Sequence, residues 1–190
     1  MISEYFLQTS KQLEELHRQA LTEKSLPQKE KDLSFYQGLF SFLNDHLPGH
    51  FSLATGKVRN KRHLLNRNCD ALIYHKWCKK FLEMSGGYVL ADHLYAFLSI
   101  ESDITAQNLV THVNLTQAMK SLYKGEENEK EFEVIPLYSL LFTYSSKLSL
   151  PEIRKLMQDY DDEKEIPMNK EIDLITVLGT GLIIKDWEAG

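Results

Sequence analysis

Leu94 to Ile100 reads Leu-Tyr-Ala-Phe-Leu-Ser-Ile, seven residues with no charge and one small polar member. A short run of that composition, bounded by charged residues, is what a strand covered on both faces requires, since each face must meet apolar neighbours. It predicts a sheet with helical layers on both sides, and the remaining chain supplies them. Thr105 can cap a helix running to about Tyr123, because its hydroxyl can accept an N–H of the first turn. Val134 to Thr143 is a second long apolar strand. Ser149-Leu150-Pro151-Glu152 opens a helix expected to end near Tyr160, with an acidic loop from Asp159 to Glu165 behind it. Ile172 to Leu178 and Leu182 to Ile184 read as two short strands joined at Gly179 to Gly181, and the stretch from Glu126 to Glu133 as an acidic surface connection. Strands alternating with helices in this way call for crossover units and a mixed sheet.

The first half is built differently. Residues 2 to 22 carry Tyr5, Phe6, Leu13, Leu16 and Ala20 partly in helical register, and Pro27 separates them from a second helix at about 29 to 47. That helix has Leu33, Tyr36, Leu39, Phe40 and Leu43 on one stripe and stops at Pro48-Gly49. The period then changes. Phe51 to Val58 and Cys69 to Tyr74 are strands of a hairpin whose polar turn region covers Asn60 to Arg67, and Ser85-Gly86-Gly87 marks another turn.

A chain of 190 residues, 43% apolar and 26% charged, has room for one sizeable domain: an α/β unit over 29–190, preceded by a helical extension over 1–28. The first eight residues are too short and polar for a secretory signal, and no apolar stretch approaches the ~18 residues of a membrane helix, so the expected location is the cytoplasm. Cys69 and Cys78 are expected to stay reduced, and a zinc site from Cys69, His75 and Cys78 has the wrong spacing and no fourth ligand. His63, His75 and His93 are single scattered histidines with ordinary structural or exposed roles.

Net charge is −5, but Lys57, Arg59, Lys61, Arg62, Arg67, Lys76, Lys79 and Lys80 face a single acid, Asp70, between positions 57 and 80, leaving −12 on the rest. Such a patch attracts phosphates or an acidic protein partner, unless it only keeps a hairpin soluble. Tyr74 and Trp77 are the aromatics interleaved with it, too few for a single-strand stacking platform, so contact with a phosphate backbone is the expectation.

Four stretches carry a resemblance: His46-Leu47-Pro48 with Ala54-Thr55-Gly56-Lys57-Val58, then Asp70-Ala71-Leu72-Ile73-Tyr74, then Ala96-Phe97-Leu98-Ser99-Ile100-Glu101-Ser102, and Val177-Leu178-Gly179-Thr180-Gly181. In order and spacing, over about residues 35 to 184, the chain resembles the PD-(D/E)XK, restriction-endonuclease-like superfamily. More narrowly it is similar to a little-characterised bacterial family of nuclease-like domains. The resemblance implies an α/β fold with a mixed central sheet flanked by helices, and a site in which an Asp and a Glu hold Mg²⁺ while a Lys two residues after the Glu serves the attacking water. Asp70 stands at the Asp position. Ser99 falls at the Glu position and Glu101 at the Lys position, and the additional helical Glu of many relatives falls at Tyr36, beside Gln37. A hydroxyl in place of a carboxylate and a reversed charge in place of Lys imply a catalytically impaired protein that needs no cofactor. It would bind nucleic acid or a protein partner through the basic hairpin, within a bacterial defence or toxin-related system. Two other readings stand beside it: an active Mg²⁺- or Mn²⁺-dependent DNase using Asp70 and Glu101 as metal ligands, and a structural or homo-oligomerising module. Asp70 as a plain turn residue, Ser99 as a packed strand residue and Glu101 as a strand end are the bland alternatives.

Overall fold

A computed structural model describes residues 2–22, 28–60, 62–80, 88–122 and 136–186, and for 2 and 28–35 the backbone alone. The expected turn at Ser85-Gly86-Gly87, the stretch from Glu126 to Glu133 and the side chain of Lys61 lie outside the described residues. In chain order the elements are helices α1 (Ile2–Thr22) and α2 (Gln28–His46), strands β1 (Phe51–Arg59), β2 (Leu64–His75), β3 (Tyr88–Leu90) and β4 (Leu94–Ile104), and helix α3 (Ala106–Leu122). Strand β5 (Tyr138–Ser146), helix α4 (Leu150–Glu163) and strands β6 (Leu174–Val177) and β7 (Gly181–Ile184) follow. No described helix is long and apolar enough to cross a membrane.

The seven strands form one mixed sheet in the order β3-β1-β2-β4-β5-β6-β7. β1, β2 and β4 pair antiparallel, β4, β5 and β6 pair parallel, and β7 returns antiparallel to β6. The expected mixed α/β sheet between helices is therefore present, and the apolar run at Leu94 lies in its middle strand. Alternate side chains of β4 feed two cores. Phe97 joins Leu72, Tyr74, Leu115 and Met119 under α3, while Leu98 and Ile100 join Leu13, Leu39 and Phe142 under α1 and α2. A third cluster, with Val113, Leu141, Ile153 and Ile175, fills the space between α3, α4 and the parallel strands. Tyr36 packs against the α1–α2 core as an aromatic of that cluster.

Helix starts follow their signals. The Thr105 N–H donates to Asn108 Oδ1 at 2.7 Å while Asn108 N–H returns to Thr105 Oγ1 at 3.3 Å, a reciprocal cap. At α4 the Glu152 carboxylate accepts from both the backbone N–H and the hydroxyl of Ser149, 2.7 Å each, one residue ahead of Leu150-Pro151. β3 has no counterpart in the sequence reading, β4 runs on to Ile104 and β6 is confined to Leu174–Val177, and three further boundaries differ from expectation for local reasons. β2 begins at Leu64, inside the expected turn region, because Asn60 Oδ1 accepts the N–H groups of Arg62 and His63 at 2.8 and 2.7 Å and closes the turn early. The acids from Asp159 continue α4 to Glu163 instead of forming a loop, since Tyr160 still packs against the core beneath the helix. β5 runs from Tyr138 to Ser146, later than the apolar run suggested, as its pairing with β4 extends to Ile104 and Ser146.

Phe97 is among the largest fully buried side chains of the sheet. Phe97→Ala is expected to lower unfolding free energy by about 3–5 kcal/mol, read from urea denaturation with an unchanged slope.

Candidate functional site

Between the pairs Ala54–Leu72 and Gly56–Cys69 one residue of β1 faces two of β2, so Asp70 and Ala71 form a β-bulge. Gly56, with φ of 133°, takes the backbone conformation that a side chain would resist at this irregularity. The main-chain ladder between β2 and β4 ends at Ala71–Leu98, and the Asp70 carboxylate takes over, accepting the N–H of Ile100 through Oδ2 at 2.9 Å. Burial pushes the Asp70 carboxyl above its ordinary range. The Ile100 N–H and the His112 ring pull it back, Glu101 pushes it up again, and Arg67 draws it down slightly. Asp70, Glu101, His112 and Arg67 thus share one electrostatic neighbourhood.

Glu101 lies on the outer half of β4 with its side chain 30% exposed, and its Oε1 stands 2.6 Å from Nε2 of His112, on the second turn of α3. Ser99 is 5% exposed beneath them. The spacing of two along a strand recurs one step outward at Glu101 and Asp103, where Asp103 Oδ1 accepts the hydroxyl of Ser145 at 3.0 Å. Behind this strand end, His17 of α1 bonds Ser102 Oγ at 2.8 Å and stacks on Tyr144 at 4.4 Å, so α1 supports the site from the other face.

The structure brings Asp70 and Glu101 together and adds His112 and Asp103. His112 had no linear signal, being a lone histidine inside a helix; it becomes visible only once α3 is docked on β4. A Mg²⁺ ion typically takes one or two protein carboxylates and fills its octahedron with waters and substrate phosphates, and this donor set meets that need poorly. One oxygen of each carboxylate is already bonded, Ser99 contributes a buried hydroxyl, and among the described residues no three His, Cys, Asp or Glu side chains gather as metal ligands.

The basic run is split. Lys57, Arg59, Arg62 and Arg67 lie along the tip half of the hairpin, with Arg67 near enough to act on the Asp70 carboxyl and Lys57 Nζ on Asn66 Oδ1 at 3.0 Å. Lys76, Lys79 and Lys80 follow the far end of β2, nine strand residues or roughly 30 Å away. At that far end sits an arrangement that linear interleaving did not reveal. Tyr74 is buried, but Trp77, 79% exposed, continues a row of rings assembled from separate strands. Centroid separations are 5.3 Å for Trp77–His75, 4.9 Å for His75–Phe51, 4.6 Å for Phe51–Tyr95 and 5.3 Å for Tyr95–Tyr138, with His50 on Phe51 at 4.2 Å. Cys69 and Cys78 are buried thiols, and burial pushes Cys69 up to about 11.

The chain shares its fold with NucC. NucC of Pseudomonas aeruginosa ATCC27853 in its cAAA-bound form superimposes with a TM-score of 0.77 at 12% identity, covering 100% of this chain and 81% of that one. NucC of Escherichia coli MS115-1 matches in its cAAA-bound form (TM-score 0.70, 12% identity, 97% and 83% covered) and in its apo form (0.62, 15%, 95% and 79%). No family model matches the sequence, and no curated protein does. At these identities the likeness is one of fold alone, a mixed sheet flanked by helices.

Because the Asp70 carboxyl is held above its ordinary value of 3.8, its contribution to stability is complete below that pH and is lost as pH rises through the elevated value. Asp70→Asn is therefore expected to be more stable than the parent at pH 7, with the difference closing below about pH 4 in thermal melts. Asp70→Ala should fall below Asp70→Asn by about 1–3 kcal/mol, as only the amide still offers an acceptor to Ile100.

Proposed function

We propose that the chain is a nuclease-fold protein of a bacterial defence system that grips a nucleic-acid backbone without cutting it. The observation that carries this reading is the juxtaposition at the outer end of β2 and β4. Asp70 shares an electrostatic neighbourhood with Glu101, His112 and Arg67, no lysine stands at the Lys position read at Glu101 or two residues beyond it at Asp103, and Lys57, Arg59 and Arg62 lie on the tip half of the same hairpin. The cations that would track phosphates are in place; the lysine that would serve an attacking water is not. The fold shared with NucC supports the nuclease-like architecture and the anti-phage defence setting.

Binding of a short DNA duplex, followed by fluorescence anisotropy from 50 to 200 mM salt, should weaken linearly in log–log form. Arg62→Ala with Arg67→Ala should reduce that slope by about 2. Nicking of supercoiled plasmid with Mg²⁺ or Mn²⁺ that Asp70→Asn abolishes would establish the DNase reading instead. Absent or salt-insensitive binding would leave a structural module.

A second reading attaches to the far end of the sheet. Two of the NucC structures hold cAAA, and adenine rings stack on aromatic faces with neighbouring cations meeting the phosphates. His50, Phe51, His75 and Trp77 form such a surface beside Lys76, Lys79 and Lys80, which suits a small adenine oligonucleotide. Titration calorimetry with cAAA is expected to show binding that Trp77→Ala weakens by about tenfold or more, at ~1–3 kcal/mol per stacked base. No heat with cAAA, or no effect of Trp77→Ala, removes this reading.

A further inference from the structure

His112 is 2% exposed, its Nε2 is committed to Glu101 at 2.6 Å, and its Nδ1 is buried with no hydrogen-bond partner. Leaving a buried ring nitrogen bare has a cost that the helix would avoid with an apolar residue, unless the other nitrogen does something that offsets it. Glu101 supplies the reason. Its carboxylate shares a partly buried neighbourhood with Asp70, and two acids so placed repel unless a positive or donating group lies between or beside them. In metal-dependent nucleases that group is the cation.

Resting on the non-cutting reading above, we infer that His112 stands in for the divalent cation. Its Nε2 occupies Oε1 of Glu101, one of the two oxygens a metal could take, and so disfavours Mg²⁺ and Mn²⁺ at the Asp70–Glu101 site. The bond is at the short end for nitrogen and oxygen. A Mg²⁺ ion needs its carboxylate oxygen at about 2.0–2.1 Å, a place it reaches at Oε1 only by driving the ring aside. The ring is buried, as are Leu109, Val113, Leu115 and Thr116 of the same helix, and Lys120 anchors that helix two turns later through Asp173 and the Glu171 carbonyl, 2.7 Å each. Ser99, two residues inward on the same side of the strand, offers only a buried hydroxyl.

The probe is Mn²⁺ itself, titrated into the full chain and followed by the loss of free-ion signal in electron paramagnetic resonance, with thermal melts alongside. The parent is expected to take up no stoichiometric Mn²⁺ at millimolar concentrations. His112→Leu should bind one ion at least about tenfold more tightly, the reverse of the loss that follows when a partner supporting a metal ligand is removed, and adding Glu101→Gln should abolish the gain. His112→Gln, whose side-chain amide can still donate to Glu101, should behave as the parent. If His112→Leu does not melt cooperatively, His112→Asn, with an amide too short to reach Glu101, takes its place. Stoichiometric Mn²⁺ on the parent that Glu101→Gln removes, or no gain in a folded His112→Leu or His112→Asn, overturns the inference. DNA binding is measured on the same preparation: its absence overturns the nucleic-acid reading and leaves the Mn²⁺ outcome standing, whereas Mn²⁺ held at Glu101 of the parent sinks the inference even where DNA still binds.

Discussion

The arrangement of this molecule hangs on one buried ion pair. Lys120, near the end of α3, donates to Asp173 Oδ2 at 2.7 Å, and the same oxygen accepts the backbone N–H of Ser139 at 2.7 Å and its hydroxyl at 3.0 Å. A crossover helix can slide along a parallel sheet by a turn at little cost in apolar contact, but a buried charge left without its partner costs about 3–5 kcal/mol. The pair therefore sets the register of α3 against β5 and the segment entering β6. Two turns earlier on that helix, the same register delivers His112 to Glu101.

With α3 fixed, the sheet acquires two chemically different ends. Where β4 and β5 run out, acids, an imidazole and serine hydroxyls meet the arginines of the hairpin. Where those strands begin, rings from β1, β2, β4 and β5 line up beside three lysines. The central strands connect the two ends rigidly, since Phe97, Leu98 and Ile100 are clamped by helices on both faces. Both polar clusters lie at strand ends, the part of an α/β sheet that helices leave open.

Much of the architecture was legible because it rests on local signals: an apolar run for β4, a reciprocal cap at Thr105, a capping acid at Glu152, Pro48-Gly49 after α2. Strand limits were less so, since Asn60 closes its turn through side-chain bonds that composition does not display. Asp70 was singled out by family resemblance, and its grip on the Ile100 N–H follows from a bulge that no periodicity encodes. Alternation along β4 places positions 99, 101 and 103 on one side; it does not say where cover ends and solvent begins, and that line falls between buried Ser99 and half-exposed Glu101. His112 and the ring row were invisible for a common reason. Each depends on residues far apart in sequence, 101 with 112 and 50 with 138, brought together by docking of helix on sheet and strand on strand.

The bulge at Asp70 and Ala71 has a companion nearer the tip, where Lys57 and Arg59 of β1 face Asn68 and Leu64 of β2. Each irregularity absorbs a mismatch in residue number between the two strands before it reaches Leu72 and Tyr74. The tip can therefore lengthen or shorten among descendants of this chain, or accept grafted segments, without inverting which side chains of β2 point inward. Variation in the length and charge of the arginine-bearing end is thereby uncoupled from the integrity of the core.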